Sequence, residues 1–307
     1  MFKKIGSNTY MRAGIHSIIS MMLTLCLGLN ASALSEIVNQ AIDPIPKLEL
    51  SPRQDHALSG TVFASSIESM KLVQREEAIL GEISEGNIPN FLRELVAVET
   101  SITIENTRFN LTFFVTPDYL SIGSDADHLL IPMTPMLAQR VVDQLGGIMP
   151  TRKMVDLIWN ASDVKLPPQP IPPSPEMVTI SIFQEHSSMV EVSRSNFISK
   201  HPPGRLVSGH KKDVILSNQI ASKLDKVFIY GWHYKNGEPI QPLYGGHVNW
   251  YVDYSHGIRF ISNQCLVNGS VMKLTHILKD PLLSQIISDE LGAMETIRYD
   301  TSRSNYP

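Results

Sequence analysis

The chain has 307 residues, 43% hydrophobic and 18% charged. That is ample for a buried core in one large or two small domains, and it excludes a disordered chain. A formal charge of -4 and a pI near 6.2 lack the basic excess that neutralising phosphates requires, so nucleic acid is not an expected partner.

Residues 1–33 have the three parts of an export signal: Lys3, Lys4 and Arg12, then "SIISMMLTLCLGL", then a small-residue cleavage site ending at Ala33. The apolar run is shorter than the roughly 20 residues a spanning helix needs, and no later run is long enough to cross a bilayer. The expectation is an exported bacterial protein, periplasmic or extracellular, with no membrane span in the mature chain. Cys26 leaves with the signal, so the single remaining thiol, Cys265, forms no internal disulfide and is expected to be buried beside Leu266 and Val267.

Residues 34–60 lack a clear period and read as a loosely ordered lead-in. "SIESMKLVQREEAILGEI" has helical spacing, and "ITIENTRFNLTFFVT" reads as a hairpin around "ENTR". "PDYLSIGSDADHLLIPMTP" reads as a loop. Its Asp125 and Asp127 invite a calcium reading, but the remaining ligands of an EF-hand are missing, so a solvated turn is expected. "TPMLAQRVVDQLG", capped by Thr134 and stopped by Gly146, and "TRKMVDLIWNA" are expected helices. Six prolines between 167 and 175 define an extended strap. "EMVTISIFQEHSSMV" fits either a helix or a strand, with a lean to helix. From residue 205 the chain is β-rich, with "NG" at 268–269 as a hairpin signal, and "LTHILKD" and "PLLSQIISDE" close it with short helices.

The expected fold is α+β: a helical N-terminal half with one hairpin, then a β-rich C-terminal half with a mixed or antiparallel sheet closed by short helices. The expected divisions are an α+β region over 61–163, the Pro-rich strap over 164–176 and a β-rich region over 177–307 that carries the site.

Chemistry-bearing residues concentrate in the β-rich part. His210, His233, His247 and His256 each adjoin a glycine or an abrupt change from apolar to polar sequence. In "GHKKDVIL" an extended chain places Lys211 and Asp213 on one side and His210 and Lys212 on the other. In "HVNWYVDYS" strict alternation puts His247, Asn249, Tyr251, Asp253 and Ser255 on one face of a single strand. His247 and Ser255 would then stand about 26 Å apart. A bend at Gly257, where glycine permits positive φ, would bring the ends closer.

"YSHGIRFI" resembles the catalytic signature of the L,D-transpeptidases, exported cell-wall enzymes in which Ser-His-Gly-Cys precedes an apolar residue and Arg, with a second His upstream. Ser255, His256, Gly257 and Arg259 match, and His247 stands as the upstream His. The cysteine nucleophile is absent, since Ile258 follows Gly257 directly, so the family's acyl-transfer route has no thiol here. The resemblance covers about a dozen residues. Segments from "DYLSIGSDAD" to "DYSHGIR" are also similar to an uncharacterised group of exported bacterial proteins, which implies export and no activity.

His210, Asp213, His247 and His256 are ligand types for zinc, although their spacing matches no zinc motif. The cofactor stays open, with zinc as its one candidate. Trp232, His233, Tyr234 and Tyr244 have faces suited to stacking on sugar or peptide. The reading that follows is a hydrolase of cell-wall or peptide material, with His247 or His256 as base or metal ligand. Asp253 or Asp213 orients it, and Arg259 or Lys212 faces the oxyanion. The competing reading is a non-enzymatic envelope-binding or scaffold protein whose polar residues form a buried network.

Overall fold

The computed structural model describes residues 46–302. The expected signal segment and the lead-in as far as residue 45 lie outside them.

Helix α1 (Gly60–Ile67) and helix α2 (Leu72–Ser84) divide what the periodicity suggested was one helix. Lys71 is extended between them, and its N–H donates to Gln74 Oε1 at 3.3 Å, which starts α2 afresh. Strands β1 (Val96–Ile104) and β2 (Thr107–Val115) form the expected hairpin, with Glu105 and Asn106 at positive φ in its two-residue turn. The stretch taken for a loop contains a second, short hairpin, β3 (Ser121–Gly123) with β4 (His128–Leu130). Helices α3 (Pro135–Gln144) and α4 (Arg152–Ala161) are both capped by a threonine hydroxyl, Thr134 accepting from Leu137 N and Thr151 from Met154 N. Two-residue strands β5 (Gly147–Ile148) and β6 (Val164–Lys165) follow them.

After the prolines, "EMVTISIFQEHSSMV" resolves as helix: α5 spans Ile180–Ser195, with Thr179 as its cap. The chain continues through β7 (Val207–Ser208), β8 (Lys212–Val214), β9 (Ile229–His233), β10 (Pro239–Tyr244), β11 (His256–Gly257), β12 (Ile261–Val267) and β13 (Ser270–Lys273). Helix α6 (Leu274–Lys279) and a 3-10 turn at Leu283–Ile286 close it.

The protein is α+β, but the expected helical N-terminal half is not found. Six of the thirteen described strands precede residue 166, and the longest described helix, α5, lies in the second half. Beyond the expected hairpin, the missed strands are short: β3 and β4 lie in the stretch read as a loop, and β5 and β6 hold two residues each, too few to show a period.

One sheet has the order β1-β2-β12-β13, with β5 also paired to β12. The second has the order β10-β9-β8-β11, antiparallel except for the parallel pair of β8 with β11. The first sheet joins strands from both sides of the Pro-rich strap, so contacts run across that expected boundary. Residues 258–260 carry the chain from one sheet to the other and are buried throughout. They continue the pairing through Leu120 N to Ile258 O (2.8 Å) and Thr116 N to Phe260 O (3.1 Å). No described helix is long and apolar enough to cross a membrane. Cys265 is buried as a free thiol in the core, and burial pushes it up to about 12.

Candidate functional site

Residues 247–255 do not form the single strand that alternation suggested. The chain there is a loop with turns, held by a bridge of Lys226 to Val248 and, at its end, by Lys212 N of β8 donating to Ser255 O at 2.7 Å. Asp253 ends in a tight turn: its carbonyl accepts from His256 N (3.1 Å), while its carboxylate accepts from Ser255 N (2.8 Å) and Ser255 Oγ (2.5 Å). Gly257 supplies no positive φ to this turn. It has ordinary strand backbone within β11, and what requires glycine is space. A Cβ there would stand 2.6 Å from the Tyr119 ring and 2.7 Å from Lys211 Cβ.

The turn folds His247 back toward the others, which removes the 26 Å separation. The His247 ring stacks on Tyr251 with centroids 4.3 Å apart, and the Tyr251 hydroxyl donates to Asp253 Oδ2 at 3.0 Å. Lys212 is the register partner of His256 across the β8–β11 pair, and its ammonium lies 5.1 Å from the centre of the Trp232 ring. Trp232 itself sits at φ +58 after Gly231 at φ +107. A bulky residue held in that region stores strain of about 1–3 kcal/mol, a feature that recurs at functional sites. Lys212, His247, Asp253, Ser255 and His256 are thus brought together. Lys212 and His247 are half-buried, and the other three are buried beneath them.

Burial would raise the Asp253 carboxyl, but His256, Lys212 and the Ser255 hydroxyl and amide hold it at about 2. Burial lowers His256 to about 4 against the opposing pull of Asp253. It lowers His247 as well, again with Asp253 opposing. Both imidazoles are therefore neutral at pH 7. Lys211, fully buried, is pushed down to about 7 by desolvation, and its ammonium donates to Tyr254 O at 2.5 Å.

The remaining candidates sit in two other networks. His210 Nε2 lies 3.1 Å from Asp118 Oδ1 without an aligned ring N–H, and Asp118 is also paired with Arg194. Burial would raise Asp118, but Arg194 and His210 hold it far below the carboxylate range. Asp213 accepts from the Tyr119 hydroxyl at 2.7 Å, and burial raises it to about 6 despite Arg259 nearby. Arg259 is wholly buried. Its guanidinium covers the Tyr119 ring at 4.2 Å and donates to Thr116 O (2.9 Å) and Val207 O (2.8 Å), tying the end of β2 to β7. His233 contacts Asp156 at 3.1 Å, and the Tyr230 hydroxyl donates to the same carboxylate at 2.9 Å. The four proposed zinc ligands are split between these networks, and no group of three metal-ligating side chains forms among the described residues.

Several participants escaped the sequence reading. His186 on α5 is buried, with both ring nitrogens unpartnered, 4.9 Å from the Tyr254 ring. Asp118, Tyr119 and Arg194 carried no local signal, because their partners are 76 to 94 positions away. Lys211, by contrast, was placed beside Asp213 by the alternation of an extended chain, since in a Lys-Lys-Asp run entering a strand the pleat turns one lysine inward.

A cleft of about 440 Å³ lies elsewhere, lined in part by Thr61, Asp125, Asp127, His128 and Glu191. Asp127 Oδ1 there accepts from the Thr61 amide and hydroxyl, both at 3.0 Å, and Asp125 Oδ1 accepts from Phe91 N at 3.2 Å. These carboxylates anchor α1 and the chain near residue 91.

No protein-family model, curated protein or solved structure matches the chain.

Proposed function

We propose that the chain is an exported envelope hydrolase that uses acid–base chemistry at the surface formed by Lys212, His247 and Asp253, with cell-wall or peptide material as substrate. The observation that carries this reading is the meeting of a half-buried lysine, a half-buried neutral imidazole and a buried ionised carboxylate where the 247–255 loop turns into β11. Export and the substrate class rest on the N-terminal pattern and on the local resemblance to cell-wall enzymes.

In this reading neutral His247 takes a proton from water as the water oxygen attacks a substrate carbonyl. Lys212 faces the oxyanion that develops, and the His247 imidazolium returns its proton to the leaving amine or alcohol. Asp253 orients the Tyr251 phenol, on which His247 stacks, and favours the protonated imidazole. Ser255 is no nucleophile in this scheme, because its hydroxyl is buried and donates to Asp253.

The test is release of fragments from peptidoglycan and from N-acylated peptides by the purified protein. The expected result is turnover that falls by about a hundredfold or more in His247→Ala and Lys212→Met, with the melting temperature kept. Turnover undiminished in both variants, or none by the wild type on either substrate class, overturns the assignment.

One observation favours the non-enzymatic binding or scaffold reading. His210, Asp213, Ser255, His256 and Arg259 are each no more than 2% exposed, as expected of a network that specifies a fold. Binding to the same peptidoglycan without turnover supports that reading.

A further inference from the structure

Lys212 is a half-buried ammonium that forms no ion pair with any carboxylate among the described residues, its one close partner being the face of Trp232 at 5.1 Å. Its ammonium is drawn to Asp253 without pairing with it, so an anion arriving from solvent is stabilised by a charge that no ion pair has taken up. The carboxylate nearest in influence, Asp253, is already engaged, with Oδ1 accepting twice from Ser255 and Oδ2 once from Tyr251. Behind it lies a second lysine, Lys211, whose one hydrogen bond is to the Tyr254 carbonyl. Lys211 is fully buried, pushed down to about 7, and answered by both Asp253 and Asp118, so the ammonium left facing solvent is that of Lys212.

The donors near Lys212 also lack partners. His256, opposite it in register, has neither ring nitrogen hydrogen-bonded, and neither does the indole N–H of Trp232. His247 is near enough to feel the Lys212 charge, and its ring stacks on Tyr251. The Trp232 ring offers a flat face beside a single point charge.

We infer that Lys212, set over the Trp232 ring and near His247, binds a carboxylate of the ligand. A single lysine with aromatic walls suits a monoanion on a planar group, whereas a phosphate dianion calls for more donors or an arginine fork. The inference rests on the surface of the proposed hydrolase and adds the charge class of what it holds, a peptide whose free carboxylate lies next to the scissile carbonyl, so that one ammonium with three donors faces both the carboxylate and the oxyanion. The carboxylate comes either from a chain terminus or from an acidic side chain, and the probes below separate the two.

The experiment is equilibrium binding followed by backbone amide shifts, which needs no turnover. Three N-acetylated tripeptides serve as probes: one with a free C-terminus and neutral side chains, its C-terminal amide, and an amide with one acidic side chain. The expected result is that at least one acid binds ten times or more tightly than the neutral amide, with the largest shifts around residues 212, 232 and 247. Lys212→Met should abolish the difference, and Lys212→Arg should restore part of it. Equal binding of acid and neutral amide, no binding of either acid, or unchanged discrimination in a folded Lys212→Met overturns the inference. Hydrolysis of amidated peptides without acid preference leaves the hydrolase standing and this inference refuted, whereas acid-selective binding without hydrolysis does the reverse.

Discussion

Lys212 and His256 are direct partners across the one parallel pairing in the four-stranded sheet, so a half-exposed charge is set beside a wholly buried imidazole. His247 joins them from the loop. The two histidines therefore respond differently to truncation. His256→Ala leaves a cavity in packed surroundings and is expected to lower stability by about 2–3 kcal/mol, whereas half-buried His247→Ala stays within about 0.5 kcal/mol. Urea denaturation of both variants checks this, and equal losses would contradict it.

Arg259 is a strut. Its two hydrogen bonds to Thr116 O and Val207 O and its stacking on Tyr119 occur with no exposure to solvent. Arg259→Ala orphans both carbonyls and is expected to cost about 3–5 kcal/mol. Arg259→Lys should recover only part of this, since a single ammonium lacks the fork that reaches both carbonyls. Chemical denaturation of the pair reads the difference.

Gly257→Ala inserts a methyl group 2.6 Å from the Tyr119 ring and 2.7 Å from Lys211 Cβ. Overpacking of that kind typically costs about 1–3 kcal/mol. Tyr119→Leu in the same chain should relieve part of the clash, so the double variant is expected to lose less than the two single changes added together. A thermal-denaturation double-mutant cycle tests that coupling.

Lys211 has its folded pKa depressed by burial to about 7 from 10.5. Between those values the unfolded chain binds a proton that the folded chain does not, so stability rises with pH across that window. From pH 7 to 9 the gain is expected to be about 2 kcal/mol, and Lys211→Met should flatten it. Denaturant midpoints at pH 7, 8 and 9 give the slope, and the same slope in both proteins would refute the assignment.

On the acid side two buried groups oppose each other. His256, depressed to about 4 from 6.5, takes up its proton first in the unfolded state, so it makes stability fall as pH drops from 6.5 to 4. Asp213, raised to about 6 from 3.8, is protonated first in the folded state and makes stability rise as pH drops from 6 to 3.8. Asp213→Asn removes the second effect while leaving an acceptor for the Tyr119 hydroxyl. Its stability is expected to fall more steeply than that of the wild type between pH 6 and 4, measured by urea midpoints at half-unit intervals.

The elements legible in the chain were those determined by neighbours in sequence. Two-residue turns with positive φ at Glu105 and Asn106 and at Asn268 and Gly269 set two hairpins, and threonine caps at 134 and 151 started two helices. These depend on backbone preference and on hydrogen bonds spanning three or four residues, so a short window contains the whole cause.

Tertiary structure decided what a window could not contain. Alternation over 247–255 looked like a strand, but a strand needs a neighbour to take its backbone hydrogen bonds, and no described strand pairs along that segment. Its polar residues are instead gathered by the turn at Asp253. Asp213 is partnered by Tyr119, 94 positions earlier, and Arg259 by carbonyls 52 and 143 positions away. The local sequence supplied the kinds of charge and the turns. Which charge is buried, and which is left facing solvent as Lys212 is, was set by long-range packing, because desolvation depends on everything that surrounds a group in space.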